Sequence, residues 1–352
     1  MKFQLIQALR AVAATLVVVF HAQALCHKYA SGASHLDAWL GGAGQYGVDL
    51  FFVLSGFVIQ YTLRRTPLSA GEFLRRRLIR IVPIYWIVTA ASLLLLWVLP
   101  GTSGVPLDEV LRSFTFTAYA LNTTQHPIIY VGWTLEYEML FYLLVWVLLL
   151  VKLPVYRSVG VIFLALYALL QLLLPQSTTP GHPLNFLSSP LLFEFLFGVF
   201  LAERFVGRAT DVLDWALPGL ALLLVAAIDP HSRLLFAGAP AALLVWLALT
   251  AERRLQQRAT HEPSGWLTWL ARLGDASYSI YLLQVIALPA IGKAWQHLVP
   301  AAAPDLLVGV ATLLVVACGC VLYTGVERPV LKILQRLRLQ PLALQTAVSR
   351  PQ

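Results

Sequence analysis

Charge is what this sequence has least of. Only 12% of its 352 residues are Asp, Glu, Lys or Arg, while 59% are hydrophobic and the mean hydropathy is +0.75. A soluble domain carries about 25% charged residues, so a soluble globular chain is excluded and lipid is the expected solvent. Cysteine is scarce as well: three thiols exclude a disulfide framework. Cys26, Cys318 and Cys320 are expected as packing residues, the last two on different faces of a helix. Strict polar–apolar alternation is missing, which argues against a membrane β-barrel. Backbone groups cannot be left unpaired in hydrocarbon, so the long Leu/Val/Ala runs must be helices. There is no internal repeat and no segment that reads as a separate soluble domain.

What is present is a series of apolar segments of spanning length, near 4–25, 46–63, 81–99, 132–151, 158–175, 189–203, 212–228, 234–250, 275–292 and 305–326. They predict an all-α, polytopic transmembrane bundle of about ten helices. Residues 1–335 form the membrane domain and 336–352 a short basic tail. Ala22-Gln23-Ala24 resembles a signal-peptidase site, but Arg10 interrupts the apolar run and many spans follow, so the first helix is expected to stay uncleaved.

The formal net charge of +8 sits in short clusters at segment ends, which speaks for topology rather than for nucleic acid. With the N-terminus inside, 21 of the 25 Lys and Arg fall on inner segments and 4 (Lys28, Arg112, Arg233 and Lys293) on outer ones. Both termini are therefore expected in the cytoplasm of a bacterial inner-membrane protein. The outer stretch 100–131, with Asn122, Thr123, Thr124, Gln125 and His126, is the longest polar one on its side and is placed to face an acceptor.

Ionisable groups inside a bilayer are expensive and so point to function. His21, Asp49, Glu138 and Glu194 are such groups. Arg10 and His21, eleven residues apart, share one helix face about 16 Å apart. Counting from helix centres puts His21, Asp49 and Glu138 at one depth in the outer half. They are the expected catalytic set, an imidazole base with a carboxylate to orient it. Arg77 and Arg80, one helical turn apart, are placed to grip phosphates. Positive-inside topology accounts for Arg64, Arg65, Arg75 and Arg76.

Other patterns carry less. Gly42-Ala43-Gly44-Gln45-Tyr46-Gly47 matches a dinucleotide fingerprint, yet no strand precedes it, and it is expected as a flexible lead-in to the second helix. Cys26, His27 and His35 fit no metal-ligand spacing, and no metal is expected. Trp39, Trp133, Trp215, Trp266, Trp269 and Trp295 fall near helix ends as interfacial anchors.

Four stretches together resemble the membrane acyltransferase-3 family, in its branch for exopolysaccharide modification. They are Leu9-Arg10 through Phe20-His21-Ala22; Gly47-Val48-Asp49-Leu50-Phe51-Phe52-Val53-Leu54-Ser55-Gly56-Phe57; Arg77-Leu78-Ile79-Arg80 with Pro83 and Tyr85; and Trp133-Thr134-Leu135 with Glu138, Phe141 and Tyr142. Ser277-Tyr278-Ser279-Ile280-Tyr281-Leu282 and Glu327-Arg328-Pro329 are weaker echoes. The resemblance implies that Arg10 and His21 serve acyl transfer, and that Arg77 and Arg80, with Arg10 nearby, contact an acyl-CoA donor, usually acetyl-CoA. Many relatives carry a histidine where Gln284 stands, which leaves His21 as the imidazole base. The hydrolase-like soluble domain of some relatives is not expected here. The expected function is O-acyl transfer from cytoplasmic acyl-CoA to an extracytoplasmic or lipid-linked saccharide, with Ser55, Tyr142 or a backbone N–H at the oxyanion. Buried His, Asp and Glu also occur in proton-coupled transporters and flippases, the rival class; a non-catalytic scaffold is the third.

Overall fold

The computed structural model describes residues 3–29, 34–40, 42–98, 104–173, 181–207, 211–257, 265–299 and 304–336; the tail from 337 onward lies outside them. Among the described residues there is no strand. Ten helices match the ten apolar segments: α1 (Gln4–Tyr29), α2 (Gly47–Arg65), α3 (Ala70–Val98), α4 (Trp133–Leu150), α5 (Val155–Leu173), α6 (Leu192–Val206), α7 (Val212–Ile228), α8 (Ala239–Gln257), α9 (Ser277–Leu298) and α10 (Pro304–Leu322). Eight of the described helical segments are long and apolar enough to cross a membrane; α7 is shorter, and α9 is 22 residues long with Pro289 inside. The protein is a multi-pass integral-membrane helical bundle.

The bundle is built around α2 and α6. In each of their spans 61% of the residues are buried, against 33% in the spans of α3, α8 and α10, so these two are the inner helices. They approach closely because glycines face each other's backbone. A Cβ on Gly198 would lie 2.0 Å from the Val53 carbonyl oxygen, and one on Gly56 2.2 Å from that of Phe195. Small residues admit close helix contact where lipid supplies no hydrophobic drive between helices. Around this crossing Phe52 stacks on Phe195 with ring centres 4.7 Å apart, and Phe141 lies 4.6 Å from the same ring.

The first helix stands between two packed clusters. Ala13 and Val17 face the α2/α6 core, while Ala14, Val18, Ala22 and Cys26 face α9 and α10. Its first backbone N–H groups, on Gln4 and Leu5, donate to the Glu252 carboxylate of α8, at 3.2 and 2.7 Å. A negative group suits a helix N-terminus.

Several expectations are corrected. The glycine-rich 42–47 stretch is not a loose lead-in: Ala43–Tyr46 is a 3₁₀ turn, and Cβ atoms on Gly44 and Gly47 would lie 2.5 and 2.3 Å from the Leu16 and Ala13 carbonyl oxygens. These glycines let the chain pack directly on α1. Cys26 is buried as expected, but Cys318 is exposed and Cys320 partly so. Trp295 is buried in the α1/α9/α10 cluster and Trp133 packs on the core, whereas Trp39, Trp215, Trp266 and Trp269 are exposed as anchors would be.

Within the polar stretch 100–131, the residues from 104 onward are folded. It forms Leu107–Phe114 and Ala118–Leu121, and the buried Glu136 accepts the N–H groups of Tyr119 and Ala120 at 3.1 and 2.7 Å. Tyr119 stacks with His126, and burial, then the charge of Glu136, raises its phenol above the ordinary range.

Candidate active site

Side chains from α1, α2, α3, α4 and α9 converge on a cavity of about 160 Å³. Arg10, Arg77 and Arg80 all line it, together with Ser55, Glu138, Tyr142 and Tyr281. The three guanidinium groups come from two helices far apart in sequence. Each is held differently, and the differences set what each is free to bind.

Arg10 donates to Gln7 Oε1 at 3.1 Å, one turn back along α1. Arg80 donates to Glu327 Oε1 at 3.1 Å; that carboxylate is fully buried and also accepts the Ser279 hydroxyl at 2.5 Å. Glu327 is placed by a π-helical turn, Tyr323–Glu327, that widens the end of α10, a local deformation often found at functional sites. The Arg77 guanidinium lies 5.6 Å from the Phe73 ring centre and 5.9 Å from that of Tyr142, and its buried Nε has no hydrogen-bond partner among the described residues. Of the three guanidinium groups it is the one without a carboxylate or amide partner among the described residues.

Glu138 accepts the Ser55 hydroxyl at 2.8 Å and also the Tyr142 hydroxyl. The lining holds three guanidinium groups and one carboxylate, with the Glu327 carboxylate behind Arg80, an excess of basic groups that suits a phosphate. A volume of about 160 Å³ is below the roughly 300–1,000 Å³ of whole-ligand pockets. It has room for part of an extended ligand rather than for a large one whole.

His21 does not line this cavity. Its Nδ1 donates to the Val17 carbonyl at 2.9 Å, and its ring lies against Tyr130, with centres 4.9 Å apart, and near Gln284. On the cavity lining, the Tyr281 hydroxyl is hydrogen-bonded with Thr134 Oγ1 at 2.7 Å and with the Val131 carbonyl at 3.0 Å.

The common depth expected for His21, Asp49 and Glu138 is not what the fold makes. Gly47, at the start of α2, sits beside Ala13, and Phe3 meets Phe57 with ring centres 5.9 Å apart, so α2 descends antiparallel to α1. His21 is eight residues above Ala13 and Ser55 eight residues below Gly47, each step about 12 Å. Glu138, bonded to Ser55, therefore belongs to the cavity level. The physical reason is that α1 continues well past the point where the chain returns, so counting from helix centres misplaces their depths.

Asp49 is likewise elsewhere. It is fully buried and takes Arg233 Nη2 at 2.5 Å and Nε at 2.9 Å, while Arg233 also donates to the Gln45 carbonyl at 2.7 Å. Glu194, fully buried too, lies in the field of this pair. Sequence reading counted Arg233 as an outer-loop charge and missed the pairing, 184 residues apart. It also missed Glu327 as the partner of Arg80; no local spacing signals a contact across 247 residues. Among the described residues no group of three or more His, Cys, Asp or Glu side chains is arranged to hold a metal, and the His27 side chain lies outside the described ones.

Fold and site define a class, an integral-membrane bundle with a cationic cavity beneath a histidine in its first helix. Comparison with known proteins makes it particular: the acyltransferase-domain model of the acyltransferase-3 family matches residues 4–325, and the chain belongs to that family. Two relatives span most of its length. The exopolysaccharide production protein ExoZ of Rhizobium meliloti (strain 1021) is 31% identical over 304 residues, 82% of this chain and 90% of that protein. Acyltransferase MdmB of Streptomyces mycarofaciens is 28% identical over 336 residues, 84% and 83% of the two chains. No solved structure matches. The protein is an enzyme that transfers acyl groups.

Proposed function

We propose that the enzyme is an O-acyltransferase of the bacterial inner membrane, carrying an acyl group, acetyl in the first place, from cytoplasmic acyl-CoA to a hydroxyl of an extracytoplasmic or lipid-linked saccharide. The observation that carries this reading is the convergence of Arg10, Arg77 and Arg80 on one cavity, with His21 on the Arg10 helix about 16 Å further on. The basic clusters of the inner segments support an orientation with both termini in the cytoplasm. A relative named for exopolysaccharide production supports a saccharide acceptor.

In this reading the donor's phosphates rest on Arg77 and Arg80 with Arg10 beside them. The pantetheine arm rises past Glu138, Ser55 and Tyr281 and delivers the thioester to His21. Because the Val17 carbonyl can only accept, Nδ1 keeps its hydrogen and Nε2 is the basic nitrogen. Nε2 takes the acceptor's hydroxyl proton as the oxygen attacks the thioester carbonyl. The new C–O bond replaces the C–S bond, and the coenzyme leaves as a thiol on taking the proton back from His21.

The test is turnover of acetyl-CoA by protein purified in detergent, with no gradient, alongside the masses of surface saccharides from cells with and without the gene. His21→Ala is expected to lower transfer by about 10²–10⁴-fold while the protein remains in the membrane. Full activity in that variant removes His21 as the base. Saccharides of unchanged mass in the deleted strain remove the acceptor class, and transport without transfer selects the flippase class instead.

A further inference from the structure

Gln284 stands on α9 one turn from Ile280 and one from Leu288, which pack in the same cluster as Val18 and Ala22 of α1, so its fully buried side chain comes beside the His21 ring. Its amide is not free to turn either way. Nε2 donates to the Tyr281 carbonyl at 2.9 Å, and a carbonyl can only accept, so the nitrogen is fixed there and the oxygen is directed away from it. That oxygen, Oε1, is buried and has no hydrogen-bond donor among the described residues. A buried acceptor left without a donor is uncommon and calls for an explanation.

The imidazole has the complementary gap. Nδ1 is committed to the Val17 carbonyl, so in the neutral ring Nε2 carries no hydrogen and offers nothing to Gln284. Only after the ring takes a proton does Nε2 become a donor. The groups around the ring are the Val17 carbonyl and Phe20 from its own helix, Tyr130 from the turn before α4, and Gln284 from α9. No carboxylate or cation is among the groups that act on the ring: Asp49 is paired with Arg233, and Arg10 lies three turns below. Among the described residues the amide thus brings a buried oxygen that lacks a donor to the side of the ring that changes.

We propose that Gln284 is a positioning residue for His21, its buried side-chain oxygen accepting the Nε2–H that the ring gains when it takes the acceptor's proton. The inference rests on the reading of His21 as the base, and it deepens that reading. A carboxylate is dispensable beside this histidine because the imidazolium exists only between proton uptake and its return to the leaving thiolate. Throughout that interval the amide oxygen stabilises the charged ring without adding a charge of its own. Proton balance is unchanged: the proton moves from acceptor oxygen to Nε2 and from Nε2 to sulfur, and Gln284 neither gains nor loses one.

The experiment is the pH dependence of kcat for the purified full-length enzyme with acetyl-CoA, in wild type, Gln284→Leu, Gln284→Glu and His21→Ala. Gln284→Leu should lower kcat by roughly 10- to 100-fold, the scale of a hydrogen bond to a charged group, with the KM for acetyl-CoA unchanged. Its acid limb should move to lower pH, because the protonated ring has lost its acceptor. Gln284→Glu is isosteric and should move the acid limb to higher pH, since a carboxylate favours the imidazolium; this variant carries the test if the leucine variant does not accumulate. An acid limb that stays at the wild-type position in both variants overturns the inference, because a purely structural loss lowers kcat at every pH alike. If instead His21→Ala is fully active, the base assignment itself fails, and that result is read separately from the other two.

Discussion

Arg80 and Glu327 meet at 3.1 Å across 247 residues of sequence, one a third exposed on the cavity wall and the other fully buried behind it. The carboxylate holds the guanidinium at the cavity and takes a second hydrogen bond from Ser279. Glu327→Ala should therefore lose both stability and donor affinity. Breaking a buried pair costs about 3–5 kcal/mol, and partial exposure of Arg80 places the effect toward the lower end. Thermal unfolding in detergent should show the loss, and Glu327→Gln, which keeps an acceptor oxygen, should recover part of it.

Arg77 offers a cleaner separation of binding from chemistry. Its buried Nε has no partner among the described residues, and two aromatic rings hold the group in place. Arg77→Ala should raise the KM for acetyl-CoA by roughly 10-fold or more, as expected for a charge-assisted contact to phosphate, with a smaller change in kcat. Arg77→Lys should restore little, because a point charge does not reproduce the planar fork. A KM that stays at the wild-type value in the alanine variant would count against the phosphate role.

Asp49 tests the difference between an orienting carboxylate and a structural one. Removing its charge leaves Arg233 half-buried without its ion partner. Asp49→Asn should lower the yield of folded protein, while kcat per folded molecule stays within a few-fold of wild type. Replacing Arg233 by Gln in the same protein should recover folding, since the uncompensated charge is then gone. A fully folded Asp49→Asn protein with kcat reduced 100-fold would show instead that Asp49 acts in the chemistry.

Gly198 probes the inner helix crossing. A Cβ there would lie 2.0 Å from the Val53 carbonyl oxygen and 2.6 Å from the Phe57 nitrogen, and backbone cannot move aside as a side chain can. Gly198→Ala should destabilise the bundle by about 1–3 kcal/mol or more, read as a lower unfolding temperature. The same substitution at Gly309, with open space around it, should be nearly silent.

Composition and spacing were sufficient for the all-α membrane bundle, because the cost of unpaired backbone in lipid leaves helices as the answer for long apolar runs. Each of the ten expected segments is a helix. The 3.6-residue period likewise put Arg10 and His21 on one face, and Arg77 beside Arg80. What composition and period could not supply was depth between helices. That depended on how far α1 runs past the return of the chain and on glycines that set α2 against it. Hence Glu138 belongs with Ser55 at the cavity, Asp49 with Arg233, and Gln284 with His21. Such pairings are made by packing across the bundle, where residues 83 or 184 positions apart become neighbours and no local repeat records it.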